Sequence, residues 1–211
     1  MSLFYERIPL SSEPNPEILT PAVLRRADIG ESYWGDKLDA IPDHLSYKDV
    51  IAGYIMKIHE YERGGYGLLL SGEFGTGKTS LGSIILKEAL MRRARCFTVR
   101  CAVMVDRLWS KQRQELPNGA PFEEGLTNVN FLFIDDFEVF DSTPKNRAVE
   151  QIIYARYARR LPTIIATNLK WKDVFDLPYL KSLLTDRYWP CPVVGINWRE
   201  KPPTDPNRLT P

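Results

Sequence analysis

Gly72-Glu73-Phe74-Gly75-Thr76-Gly77-Lys78-Thr79 matches the pattern G-x-x-x-x-G-K-[ST] at every defined position. Glycines at Gly72, Gly75 and Gly77 are read as permitting backbone angles that other residues avoid, which lets successive N–H groups converge on one anion. The occupant this predicts is a triphosphate. Phe74, Thr76 and Ser80 complete the wrap with the three glycines, Lys78 lies along the β- and γ-phosphates as a point charge, and the Thr79 hydroxyl is a ligand of Mg²⁺. A helix starting there adds its positive dipole end. The flanks agree with this reading: Tyr66-Gly67-Leu68-Leu69-Leu70-Ser71 is a short buried strand entering the loop, and Leu81, Ile84 and Ile85 recur at helical spacing after it.

Downstream, Asn130-Phe131-Leu132-Phe133-Ile134-Asp135-Asp136 reads as an apolar strand ending in two carboxylates. A carboxylate at the tip of a strand neighbouring the loop strand can hold Mg²⁺ through water, the role expected of Asp135. Asp136 either faces the same cleft, to orient or deprotonate an attacking water, or simply ends the strand as a turn-favouring residue. Pro162 to Asn168 is a further strand, at whose tip Asn168 either hydrogen-bonds the γ-phosphate or the attacking water or forms a plain turn.

The connecting segments read as follows. Residues 1–21, with four prolines, suit an extended arm. Between Ala22 and Pro42, Tyr33 and Trp34 either lie over a bound base or cover the sheet. A helix spans Tyr47 to Arg63, and Arg92-Arg93-Ala94-Arg95 closes the loop helix. Cys96 to Val99 is a strand, Ala102 to Gln114 a helix, and Glu115 to Asn128 a loop with one helical turn. Val149, Ile152, Ile153 and Tyr157 define another helix, whose Arg156, Arg159 and Arg160 read as a solvated basic face. Trp171 to Leu184 is a helical stretch interrupted by Pro178, Val193 to Ile196 a last strand, and the tail from Lys201 is loose. Strands alternating with helices imply a parallel sheet covered on both faces, with the ligand at the C-terminal strand ends.

Composition narrows the class. The 211 residues are 44% hydrophobic, enough for one substantial core, and Lys+Arg 28 against Asp+Glu 27 leaves no global basic field of a nucleic-acid binder. Cys96, Cys101 and Cys191, with only His44 and His59 beside them, fit neither a disulfide framework nor a metal site. Met1 to Leu10 lacks the pattern of a leader, and no stretch approaches the roughly 20 apolar residues of a membrane span, so a cytoplasmic protein without membrane contact is expected.

Four stretches together resemble the AAA+ subfamily of bacterial replicative-helicase loaders (DnaC and DnaI type) and transposition helper ATPases (IstB type). They are residues 72–79, Phe-Leu-Phe-Ile-Asp-Asp at 131–136, Pro-Thr-Ile-Ile-Ala-Thr-Asn-Leu at 162–169, and Leu-Leu-Thr-Asp-Arg with Gly-Ile-Asn-Trp-Arg between 183 and 199. The resemblance implies an α/β P-loop NTPase of three layers around a five-stranded parallel sheet, over residues 22–200, between the arm and a flexible tail at 201–211. It implies Lys78 and Thr79 as Walker A, Asp135 and Asp136 as Walker B, Asn168 as sensor 1, and Arg187 as an arginine finger reaching a neighbouring subunit's nucleotide. The bland account of Arg187 is an ion pair with Asp186. Asp136 stands where many AAA+ proteins place Glu, which implies slow turnover. Little room before residue 22 is expected for the separate domain with which loaders grip a helicase.

Three functions follow as expectations. The first is a self-assembling ATPase, slow and assembly-dependent, that uses ATP and Mg²⁺ to load a replicative helicase and engages single-stranded DNA. The second is an IstB-like helper partnered by a transposase. The third is a nucleotide-gated adaptor that hydrolyses little.

Overall fold

A computed structural model of the protein describes residues 9–110, 121–170, 173–174 and 178–199. Its regular elements are α1 (Pro21–Arg26), α2 (Ser46–Met56), α3 (Ile58–Gly64), β1 (Gly67–Ser71), α4 (Lys78–Met91), β2 (Cys96–Arg100) and α5 (Cys101–Trp109). After these come α6 (Phe122–Asn128), β3 (Phe131–Phe137), α7 (Thr143–Ala158), β4 (Thr163–Thr167), α8 (Pro178–Arg187) and β5 (Tyr188–Pro192). The strands form one sheet in the order β2-β3-β4-β1-β5, and every pair is parallel. This is the expected α/β architecture with five strands.

Strand residues alternate between two cores. Leu68, Leu70, Phe131, Phe133, Ile164 and Ala166 face the layer that holds α2 and α4. Leu69, Leu132, Ile134 and Ile165 face α5, α6, α7 and α8. Both faces are covered, so the strands read as unbroken apolar runs instead of an alternating pattern. Chain upstream of α1 lies against the end of α4, where the Ser11 and Asn15 amides donate to the carbonyls of Arg92 and Met91.

Several expectations are corrected. The strand carrying Asp135 is not next to the loop strand, because β4 lies between β1 and β3. The helix before β1 is two helices that meet at Lys57, and the loop before β3 contains the seven-residue α6. Pro178 begins α8 instead of interrupting a helix, a position where its missing N–H breaks no helical bond. The last strand is Tyr188–Pro192, not Val193–Ile196. Its prolines argue against a strand, but β5 is an edge strand paired only with β1. The Val193 amide donates to the Ser71 carbonyl, so Pro190 and Pro192, on the alternate positions, turn their missing N–H groups outward.

Arg156 corrects the basic-face reading. It is 0% exposed, and its guanidinium donates to the carbonyls of Leu126, Val129, Asn130 and Pro162 and to Thr163 Oγ1. Arg159 is also engaged, with the Thr127 carbonyl and Asn128 Oδ1. The three cysteines are free, buried thiols. The parts of the arm, of the helix after Cys101 and of the Trp171 stretch that fall on residues 1–8, 111–120, 171–172 and 175–177, together with the tail from Lys201, lie outside the described residues.

Candidate functional site

At the C-terminal end of β1 the chain turns through residues 72–77 into α4, whose first residue is Lys78. Gly75 and Gly77 have φ of 77° and 94°, a region that a Cβ makes costly. Gly72 does not share this requirement, contrary to the expectation for all three glycines. Its constraint is space, because a Cβ there would stand 2.2 Å from the Val193 carbonyl oxygen. The loop is further tied by Thr76 Oγ1, which donates to the Glu73 carbonyl, and by the Trp198 amide, which donates to the Gly75 carbonyl.

Lys78 is only 7% exposed, and its ammonium donates to the loop carbonyls of Gly72 (2.8 Å) and Glu73 (2.7 Å). Thr79 Oγ1 donates to Asp135 Oδ2 at 2.9 Å, which joins the start of α4 to the tip of β3 across the intervening β4. A small residue one turn along the helix allows this approach. Gly82 sits on the Thr79 side of α4, and a Cβ there would come within 2.3 Å of the Phe133 ring. Phe133 and Asp135 share one face of β3 by strand alternation, so close packing at the first brings the second to the helix start.

Asp136 is exposed and lines the cleft. Its φ is 48°, and the β3–β4 register shifts between Ile134 and Phe137. A bulge of this kind re-aims a side chain that strict alternation would send to the far face. Thr167 braces the bulge by donating its hydroxyl to the Phe137 carbonyl while accepting from the Leu169 amide. Asn168, between Thr167 and Leu169, therefore also lines the cleft.

The cleft holds about 390 Å³ and has a second wall made by residues 32–47. Tyr33 lines it, whereas Trp34 turns away and donates Nε1–H to the Ile29 carbonyl. Asp36, Tyr47, Trp198 and Arg199 also line it, and none of these was singled out from the sequence as a site residue. Phe74 stands exposed at the loop tip, and Ser80 Oγ donates to Asp36 Oδ2. Arg187 lies outside the cleft; its guanidinium contacts Asp186 Oδ2 at 3.2 Å, donates to the Tyr157 carbonyl and stacks over the Tyr157 ring. The bland ion pair thus exists within this chain.

Electrostatically the cleft is strained in both signs. Burial, and then the neighbouring Asp136, raise the Asp135 carboxyl above the ordinary carboxylate range, against the Thr79 hydrogen bond. Burial lowers the Lys78 ammonium, while Asp135 and Asp136 pull it back up. A bound polyanion and a hard cation would relieve both groups. Thr79 and Asp135 supply hard oxygen donors suited to Mg²⁺, which takes few protein ligands and shares its sphere with phosphates and water. Among the described residues no cluster of three or more His, Cys, Asp or Glu could hold a metal alone.

Residues 68–180 match the AAA family, ATPase family associated with various cellular activities, and the chain belongs to it. Its fold is similar to that of the DnaC helicase loader, with 20% identity and a TM-score of 0.62 over 78% of this chain and 100% of that one. It is similar also to DnaI, with 19% identity and a TM-score of 0.65 over 83% of this chain and 100% of that one. Replication initiator DnaA bound to AMPPCP and single-stranded DNA matches at TM-score 0.60 and 16% identity, over 80% of this chain and 52% of that one. At such identities the likeness is one of fold. No curated protein matches the sequence. Among the described residues no helix is long and apolar enough to cross a membrane.

Proposed function

We propose that this chain binds and hydrolyses ATP with Mg²⁺ and acts in the cytoplasm as a loader of a replicative helicase. The observation that carries the nucleotide part is the 2.9 Å contact of Thr79 with Asp135 beside the buried Lys78. Phosphates bound at the α4 start replace the Gly72 and Glu73 carbonyls as partners of the Lys78 ammonium. The loop amides and the helix dipole hold the remaining phosphate charge. Thr79 and Asp135 hold the Mg²⁺, which supplies neutralisation of charge on the transferring phosphoryl group. Asp136, aimed into the cleft by the bulge, orients or deprotonates the attacking water, and Asn168 hydrogen-bonds that water or the γ-phosphate.

Arg187 is assigned to the nucleotide of a neighbouring subunit, so hydrolysis depends on assembly into an oligomer or spiral. In the isolated chain its tie to Tyr157 and Asp186 holds it in reserve. The loader role rests on the fold shared with DnaC and DnaI, and contact with single-stranded DNA on the fold shared with DnaA. Of the basic residues considered for that contact, Arg93 is exposed, whereas Arg92 is ion-paired with Glu88 and Arg156 is buried. A second reading, a nucleotide-gated adaptor with little turnover, is favoured by one observation: Asp136 presents a short carboxylate from a left-handed backbone.

ATP hydrolysis by wild type and Lys78→Ala, with and without single-stranded DNA, tests the proposal. Wild type should turn over, faster with DNA, and the variant should lose activity by about 10²-fold or more. Equal rates in the two proteins would remove the enzyme claim, and indifference to DNA would remove the DNA partner.

A further inference from the structure

The cleft wall that faces the phosphate loop is supplied largely by residues 32–41, a stretch whose only regular structure is two short 3-10 turns, Glu31–Tyr33 and Leu38–Ala40. Such irregular chain needs external fixing to keep a shape. Ser80 Oγ on Asp36 and Lys48 Nζ on the Ile41 carbonyl contribute, and the largest set of ties comes from one side chain of α4. Lys87 Nζ donates to the Tyr33 carbonyl at 2.8 Å, to the Trp34 carbonyl at 3.0 Å and to the Asp36 carbonyl. Three donors meet three backbone acceptors, so an ammonium only 5% exposed is satisfied without water.

The other end of the same contact is informative. Lys87 belongs to α4, the helix that also carries Lys78 and Thr79 at its start and Ser80 against Asp36. One rigid element therefore holds the triphosphate groups and the opposite wall. Besides the loop residues, the cleft is lined by Tyr33, Ala40, Ile41 and Tyr47, an apolar and aromatic surface accompanied by the polar groups of Ser32, Asp36 and Lys37. That mixture suits a flat heterocycle with a ribose better than further phosphate.

We propose that Lys87 is a positioning residue for the nucleoside end of the cleft, fastening the wall at residues 32–41 to α4 so that base and triphosphate are bound at a fixed separation. This rests on the nucleotide reading given above. Lys87 touches no ligand. Its effect is to keep Tyr33 and Ile41 in place, so its loss removes the contribution of the base and ribose and leaves the grip on phosphates unchanged.

The test compares Mg²⁺-dependent binding of ATP and of inorganic tripolyphosphate to wild type, Lys87→Met and Lys87→Arg. Loss of these charge-assisted hydrogen bonds should weaken ATP by about tenfold or more in Lys87→Met. Tripolyphosphate should stay within about twofold, and Lys87→Arg should recover part of the ATP affinity. A second measurement needs no variant: in wild type, hydrogen exchange of the amides over residues 30–41 should slow with ATP and not with tripolyphosphate. Equal losses for both ligands in Lys87→Met, or no loss of ATP, would overturn the inference, as would equal protection of residues 30–41 by both. If wild type binds neither ligand, the nucleotide reading itself fails, which is a different result.

Discussion

Asp135 and Asp136 are adjacent in sequence and opposite in environment. The first is 6% exposed and takes the Thr79 hydroxyl; the second is exposed on a backbone with φ 48°. Asp tolerates the left-handed region better than Glu, whose longer chain gains no local hydrogen bond there. This gives a physical reason for Asp at a position where Glu was the family expectation. Asp135 carries a pH consequence. Its carboxyl is raised in the folded state by burial and by Asp136, so the folded protein holds that proton more tightly than the unfolded chain. Stability from this group is therefore present at low pH and lost as pH rises through the raised value. Asp135→Asn, which cannot ionise, should melt above wild type at pH 7 without nucleotide, and the difference should vanish below the ordinary carboxylate range. A variant melting at or below wild type at pH 7 would contradict the assignment. The sequence showed the pair of carboxylates but not which one is buried, because that depends on a bulge in pairing with β4.

Among the elements, α7 and β5 show what local pattern conceals. Val149, Ile152, Ile153 and Arg156 fall on one helical stripe, so Arg156 occupies a core position that its charge disguised. It closes the end of α6 and the entries to β3 and β4 by collecting four carbonyls and a hydroxyl. Replacing it by Met keeps the bulk and strands those acceptors, at a cost of about 3 kcal/mol or more. Chemical denaturation of Arg156→Met should show that loss with little change in slope, and a loss under about 1 kcal/mol would refute the staple. In β5 the prolines hid a strand whose acceptability depends on its edge position. Elements defined by long apolar periodicity, such as β1, α4 and β3, were legible because their burial is written in the residues themselves. Those defined by their neighbours, such as α6 and β5, were not.

At the scale of the whole molecule, three stretches far apart in sequence converge on one cleft: the loop and α4, the β3–β4 tips, and the wall at residues 32–47. The strand order puts β4 between the loop strand and the carboxylate strand, so Asn168, just past the end of β4, follows the strand that lies between those leading to the phosphate loop and to Asp136. Convergence of the first two stretches was legible from their motifs. The third was visible only as an aromatic segment upstream, because its position depends on Lys87 and Ser80, whose role has no signature in the sequence. Equilibrium titration of ATP, with and without Mg²⁺, into wild type and Lys78→Ala tests this convergence most directly. Wild type should bind ATP and bind it more tightly with Mg²⁺, while Lys78→Ala should lose about 10²-fold in affinity, the effect of removing a partly buried charge from a polyanion. Equal affinity in the two proteins, or no response to Mg²⁺ in wild type, would contradict the account.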